Sequence, residues 1–207
     1  MAEPRLIPVV APDRPEGAAL ILHGGGSRSG SPMVSPTQLS VLRMKPVASQ
    51  LASTAAGRLA VFRLLNSHRG WDPHHTPVDD VRWAMDAVRE RYGELPLGLV
   101  GHSLGGRAAL LTGSATGVRS VVALNPWLSP DDRADLSGAR VLIVHGDRDR
   151  IASPHRARAF AEGLRRQTDV TFVSIDGGKH AMLRHGHRFQ RLAADFTCDV
   201  LLDPVSR

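Results

Sequence analysis

Cysteine is almost missing from this chain. Cys198 is the only one in 207 residues, so no disulfide within the chain and no cysteine-based zinc site can form. A reducing compartment, the cytoplasm, is the expected location. Cys198 lies in an apolar, periodic stretch, where a packed thiol rather than a reactive one is expected. Aromatic residues make up only 4% of the sequence, and Lys45 and Lys179 are its only lysines. Long apolar runs are absent too, which leaves no segment able to cross a bilayer. The opening Met1-Ala2-Glu3-Pro4-Arg5 has an acid, and Pro4 and Pro8 break the stretch that a signal peptide would keep apolar, so the mature protein is expected to be the whole chain.

What is abundant is arginine and alanine. The formal net charge of +6 raises the question of a polyanionic partner, but the basic residues are scattered rather than striped and few aromatics accompany them. A GC-rich coding bias explains them, so neither nucleic acid nor membrane is an expected partner. With 42% hydrophobic residues the chain can bury a proper core, and its length suggests one domain over 1–207.

Apolar runs alternate with helical patterns from end to end. The runs are Ala18 to Leu22, Leu59 to Leu65, Leu97 to Val100, Val118 to Leu124, Val141 to Val144 and Val170 to Ile175. Most are too continuously apolar to be half-exposed and read as central strands. Leu6 to Val10 is expected to add an edge strand, where Pro8 is tolerated. Thr76-Pro77 opens one helix, which Gly93 stops; Ser153-Pro154 opens another, and Phe189 to Val200 carries the last apolar stripe. The alternation predicts an α/β, doubly wound and mostly parallel sheet of six to seven strands with helices on both faces. Ser27 to Lys45 is the least regular part, broken by Gly30, Pro32 and Pro36, with Pro46 kinking or beginning the next helix. A loop of that length in a compact domain points to function.

Gly101-His102-Ser103-Leu104-Gly105 sits between a strand and a helix. That context fits a sharp turn that presents the serine hydroxyl at the tip of the sheet, with glycines where strand and helix pass closely. In such a sheet, ligands gather beyond the carboxyl ends of the strands. Ser103, Gly146-Asp147-Arg148-Asp149 and Gly177-Gly178-Lys179-His180 each follow a strand there. A nucleophile, an orienting acid and a base therefore converge on one edge.

With these segments the chain resembles the α/β-hydrolase superfamily over nearly its whole length. His23-Gly24-Gly25-Gly26 resembles the family's oxyanion loop, Val144 to Ile151 the segment bearing its acid, and Gly178-Lys179-His180 its histidine loop. The resemblance implies a catalytic Ser103, His180 and Asp149, the acid falling three residues after the glycine, with Asp147 as the alternative. It implies backbone oxyanion donors at Leu104 and Gly25, with Gly24 the near alternative, and neither a metal nor a cofactor. A serine hydroxyl needs a base, and neutral imidazole suits that task near neutral pH.

The other histidines read differently. His102 is expected to point away from the serine and to be structural, His23 and His145 to be hydrogen-bonded scaffold, and His185 and His187 to be solvated. His74-His75, with no carboxylate cluster beside it, makes a poor metal site.

Only Asn125 to Ala139 separates the strand after the serine helix from the next, too little for the lid that family members often carry, so an open site is expected. Gly24, Arg28, Trp71 and Trp127 are the candidate substrate-binding residues. The tryptophans would wall an apolar pocket or else anchor loops, and Arg28 would meet an anionic group or else be solvated. Serine rather than cysteine at the nucleophile favours ordinary esters or thioesters over dienelactones. The expected function is a serine hydrolase for a small or carrier-bound acyl substrate, with acyl transfer by the same residues, or a non-catalytic binding protein on the same fold, as the alternatives. Oligomeric state leaves no readable signal.

Overall fold

Seven strands form one sheet in the order β1-β3-β2-β4-β5-β6-β7. The computed structural model describes residues 3–26, 33–72 and 76–202. Strand β1 (Arg5–Val10) runs antiparallel to β3 (Leu59–Leu65). The remaining pairs, through β2 (Gly17–Leu22), β4 (Leu97–His102), β5 (Val118–Leu124), β6 (Arg140–Gly146) and β7 (Val170–Ile175), are parallel.

Strand β2, flanked by β3 and β4, shows why the apolar runs are continuous. Alternate side chains point to opposite faces of a strand. Ala18, Leu20 and Leu22 enter one core layer with α3 (Thr76–Tyr92), α4 (Leu104–Thr112) and α5 (Pro154–Leu164). Ala19 and Ile21 enter the other, with α2 (Lys45–Ala55) and α6 (Gly186–Leu202). Both faces are dry, so every position must be apolar. Cys198 is buried in that second layer.

All seven expected strands are present, and the differences are local. Strand β7 is an edge strand with half-exposed positions rather than one buried on both sides. Pro46 begins α2 instead of kinking it, because a proline in the first helical turn gives up an amide that had no partner. The stretch read as irregular contains a short helix, α1 (Leu39–Leu42), so it is less loop-like than its prolines suggest.

From β2 the chain moves to β3 on one side, and after α3 it returns to β4 on the other. The crevice beyond the carboxyl ends of β2 and β4 is the point at which strand order reverses, where sheets of this kind accept ligands. Gly24 to Gly26 and Ser103 stand there.

Candidate active site

Ser103 links β4 to α4 with φ 57° and ψ −120°, a conformation an ordinary side chain takes up only under strain. The surroundings enforce it. A methyl group on Gly101 would overlap the Gly105 carbonyl, and one on Gly105 would sit 2.5 Å from the carbonyl oxygen of Leu22. Gly24 is pinned in the same way, since a side chain there would begin 2.9 Å from Ser103 Cβ. Strand, turn and helix pass too closely for anything but hydrogen.

Three side chains meet at this tip. His180 Nε2 lies 3.0 Å from Ser103 Oγ, and His180 Nδ1 lies 2.8 Å from Asp149 Oδ2. The other Asp149 oxygen accepts the amides of Ile151 at 2.8 Å and Ala152 at 2.9 Å. Burial pushes the Asp149 carboxyl up, yet the hydrogen bonds from His145, His180 and those amides outweigh it and hold the group well below the usual carboxylate range. It is Asp149 that reaches the imidazole, whereas Asp147 is exposed.

The scaffold histidines have specific partners. His102 is buried, and its Nε2 donates to the main-chain carbonyl of His180 at 2.8 Å, the two rings lying 4.9 Å apart. Rather than merely facing away from the serine, His102 therefore supports the loop that carries the imidazole. Burial lowers its pKa to about 3, so the ring is neutral. His23 Nε2 accepts the Asn66 amide at 3.2 Å, which leaves the proton on Nδ1 to donate to the Gly24 carbonyl. His145 Nε2 lies 3.3 Å from the Ala152 carbonyl and 3.4 Å from Asp149 Oδ2. His187 is exposed, as expected of a solvated residue, while His185 is half-buried.

Sequence reasoning missed Asn125. Its fully buried side chain accepts the Gly146 amide at 2.8 Å and donates to the carbonyls of Lys179 and His180, each at 3.2 Å. It thereby ties the start of the acid-bearing turn to the histidine loop.

A cleft of about 470 Å³ opens over Ser103, and Gly24, Gly25, Leu104, Trp71 and Trp127 are among its lining residues. Both tryptophans flank one buried cation. The Arg107 guanidinium lies 3.9 Å from the Trp71 ring centre and 5.7 Å from that of Trp127. Asp132 holds it in a forked pairing, Oδ1 accepting from Nη2 at 2.7 Å and Oδ2 from Nε at 2.9 Å, with Nε also 3.1 Å from Oδ1. Sequence analysis passed over this pair. The available signal was a single charge within the otherwise apolar α4, because a buried arginine requires a carboxylate.

Arg28 and His74-His75 lie outside the described residues. Among the described residues no helix is long and apolar enough to cross a membrane.

No protein-family model matches the chain. Cutinase est2 of Thermobifida alba is 29% identical to it over 99 residues, 47% of this chain, and the match spans only 33% of the cutinase. An alpha-beta serine hydrolase homologue from Coxiella burnetii superposes with a TM-score of 0.69 at 17% identity, covering 93% of this chain and 89% of that one. A serine hydrolase without a lid, from Xanthomonas campestris, superposes with a TM-score of 0.67 at 20% identity, covering 99% and 90%. In keeping with the last of these, which is described as lacking a lid, the connection between β5 and β6 contains no helix. The chain therefore has the α/β-hydrolase fold, in its form without a lid.

Proposed function

We propose that this protein is a serine hydrolase that cleaves carboxylic esters, and thioesters by the same chemistry, through an acyl-enzyme. The observation that carries the reading is the single imidazole placed between Ser103 Oγ and Asp149 Oδ2, 3.0 Å from one and 2.8 Å from the other. The partial sequence match to a cutinase and the fold of the serine hydrolases support it.

In this reading Ser103 Oγ attacks the substrate carbonyl carbon while His180 Nε2 takes its proton. Asp149, kept ionised, accepts from Nδ1 and stabilises the imidazolium. The negative charge on the carbonyl oxygen is met by the amides of Leu104 and Gly25; the first amides of a helix have no partner within it. Losing one such donor raises the barrier by about 3 to 4 kcal/mol. The bond to the leaving group then breaks, and His180 returns the proton to that oxygen or sulfur. Water attacks the acyl-serine, gives a proton to His180 and releases the acid as Ser103 regains its hydrogen. With no helix over the cleft from the 125–139 connection, bulky or carrier-bound acyl groups fit the scheme.

A fluorophosphonate probe and a short-chain nitrophenyl ester test it. Wild-type protein labels at Ser103 and turns the ester over, and Ser103→Ala does neither. Labelling that persists in Ser103→Ala, or a folded wild type that neither labels nor hydrolyses, overturns the reading.

A further inference from the structure

The cleft over Ser103 shares a lining residue with a second cavity. The second, about 350 Å³, is apolar and runs between α1, the start of α2 and the histidine loop, lined by Leu39, Leu42, Pro46, Val47, Met182 and Leu183 among others. Among the described residues Arg43 is the only one that lines both. It follows α1, inside the stretch whose length and prolines pointed to function.

Arg43 is half-buried, and among the described residues no carboxylate meets it at the two cavities. Its Nε is sealed from solvent without a hydrogen-bond partner. The contrast with Arg107 is direct, for that guanidinium, packed against the cleft's two tryptophans, is held by Asp132. Partial burial also lowers the Arg43 pKa. A second guanidinium stands nearby. Arg69 has an unpartnered, buried Nε of its own, and its Cγ lies 3.8 Å from the point where a Gly25 side chain would start. Around the mouths, Leu39 and Leu183 are 74% and 84% exposed, and Ile151 is 66% exposed.

Resting on the hydrolase reading, we propose that the substrate is an amphiphilic ester carrying an anionic group, a carboxylate or phosphate, that pairs with Arg43 while its apolar part occupies the adjoining groove. A planar guanidinium at the boundary of an apolar groove and a reactive cleft reads both features of such a molecule. The anion belongs to either the acyl or the alcohol portion, and two pairs of esters separate these sources.

For the acyl side, para-nitrophenyl valerate is compared with mono-para-nitrophenyl glutarate, of equal chain length. For the alcohol side, para-nitrophenyl butyrate is compared with the butyrate of hydroxynitrobenzoic acid. The readout is the ratio of kcat/KM, anionic over neutral. In wild type one pair shows a preference for the anionic ester that weakens as salt is added. Arg43→Gln lowers that ratio by at least about tenfold, and Arg43→Lys lowers it less. Absence of any wild-type preference in both pairs overturns the proposal whether or not the variants fold, as does a ratio that Arg43→Gln leaves in place. Neutral esters hydrolysed with ratios indifferent to Arg43 sink this inference alone. Neutral esters left intact, together with an unlabelled Ser103, sink the hydrolase reading and this proposal with it.

Discussion

Asn125 donates from Nδ2 to the main-chain carbonyl of His180 at 3.2 Å, from a backbone position with φ 43° that asparagine tolerates better than most residues. The same carbonyl takes a second hydrogen bond from His102 Nε2 at 2.8 Å. The imidazole is thus aimed through its own backbone, by two side chains hydrogen-bonded to the carbonyl of the residue that carries it. Asn125→Asp keeps the size and tolerates the backbone but sets a carboxylate against two carbonyls. We expect kcat for a nitrophenyl ester to fall by about 10-fold to 100-fold, the equivalent of one or two buried hydrogen bonds, with KM changing less. A variant equal to wild type in kcat would remove Asn125 from the positioning of His180.

The Arg107–Asp132 pair gives a stability prediction. Asp132→Ala leaves a buried guanidinium without its carboxylate and should destabilise by about 3 to 5 kcal/mol. The double variant Arg107→Met, Asp132→Leu should lose less, since neither charge is then stranded. Because the guanidinium lies against Trp71 and Trp127, the single variant should also shift tryptophan emission. Urea unfolding followed by fluorescence reads both effects.

Glycines divide into two kinds by what a methyl group would meet. Gly105→Ala drives carbon into the main chain at Leu22 and should abolish folding, whereas a methyl on Gly163, within α5, meets nothing within 4 Å. Gly163→Ala should therefore raise stability by up to about 1 kcal/mol through helix propensity alone. Expression yield and thermal midpoint distinguish the two.

Acid should loosen the fold through its buried histidines. Burial depresses the pKa of His102 to about 3 and also lowers that of His23. A base with a folded pKa below its unfolded value contributes stability that is complete above the unfolded pKa, near 6.5, and is lost as pH falls toward the folded one. Over that window each such histidine removes up to about 1.4 kcal/mol per pH unit. His102→Gln should flatten the fall of the thermal midpoint between pH 6.5 and 4.5; an unchanged slope would show that His102 does not carry it.

The fold was legible because its physics is local. Strands buried on both faces are apolar at every position, and Thr76-Pro77 and Ser153-Pro154 mark helix starts at the residues themselves. The meeting of Ser103, His180 and an acid of the 146–149 turn was legible for a related reason, since each follows a strand and the strands end on one edge, while the choice of Asp149 over Asp147 came from the family resemblance. Asn125, Arg107 and Arg43 were not. Their partners, or the lack of them, depend on segments far apart in sequence, and no periodicity records that Asn125 will face Lys179 or that Asp132 will rise beneath α4. Strand β7 was read too dry because an apolar run does not say which strand ends up at the edge.

The tightest crowding around Ser103 falls on the main chain at Gly101 and Gly105 and on the serine Cβ, more than on the hydroxyl. The fold thereby dictates where a reactive atom stands and leaves open which element it is. Oxygen at this spot is a matter of chemistry rather than of architecture, and a thiol could stand there without redrawing the turn.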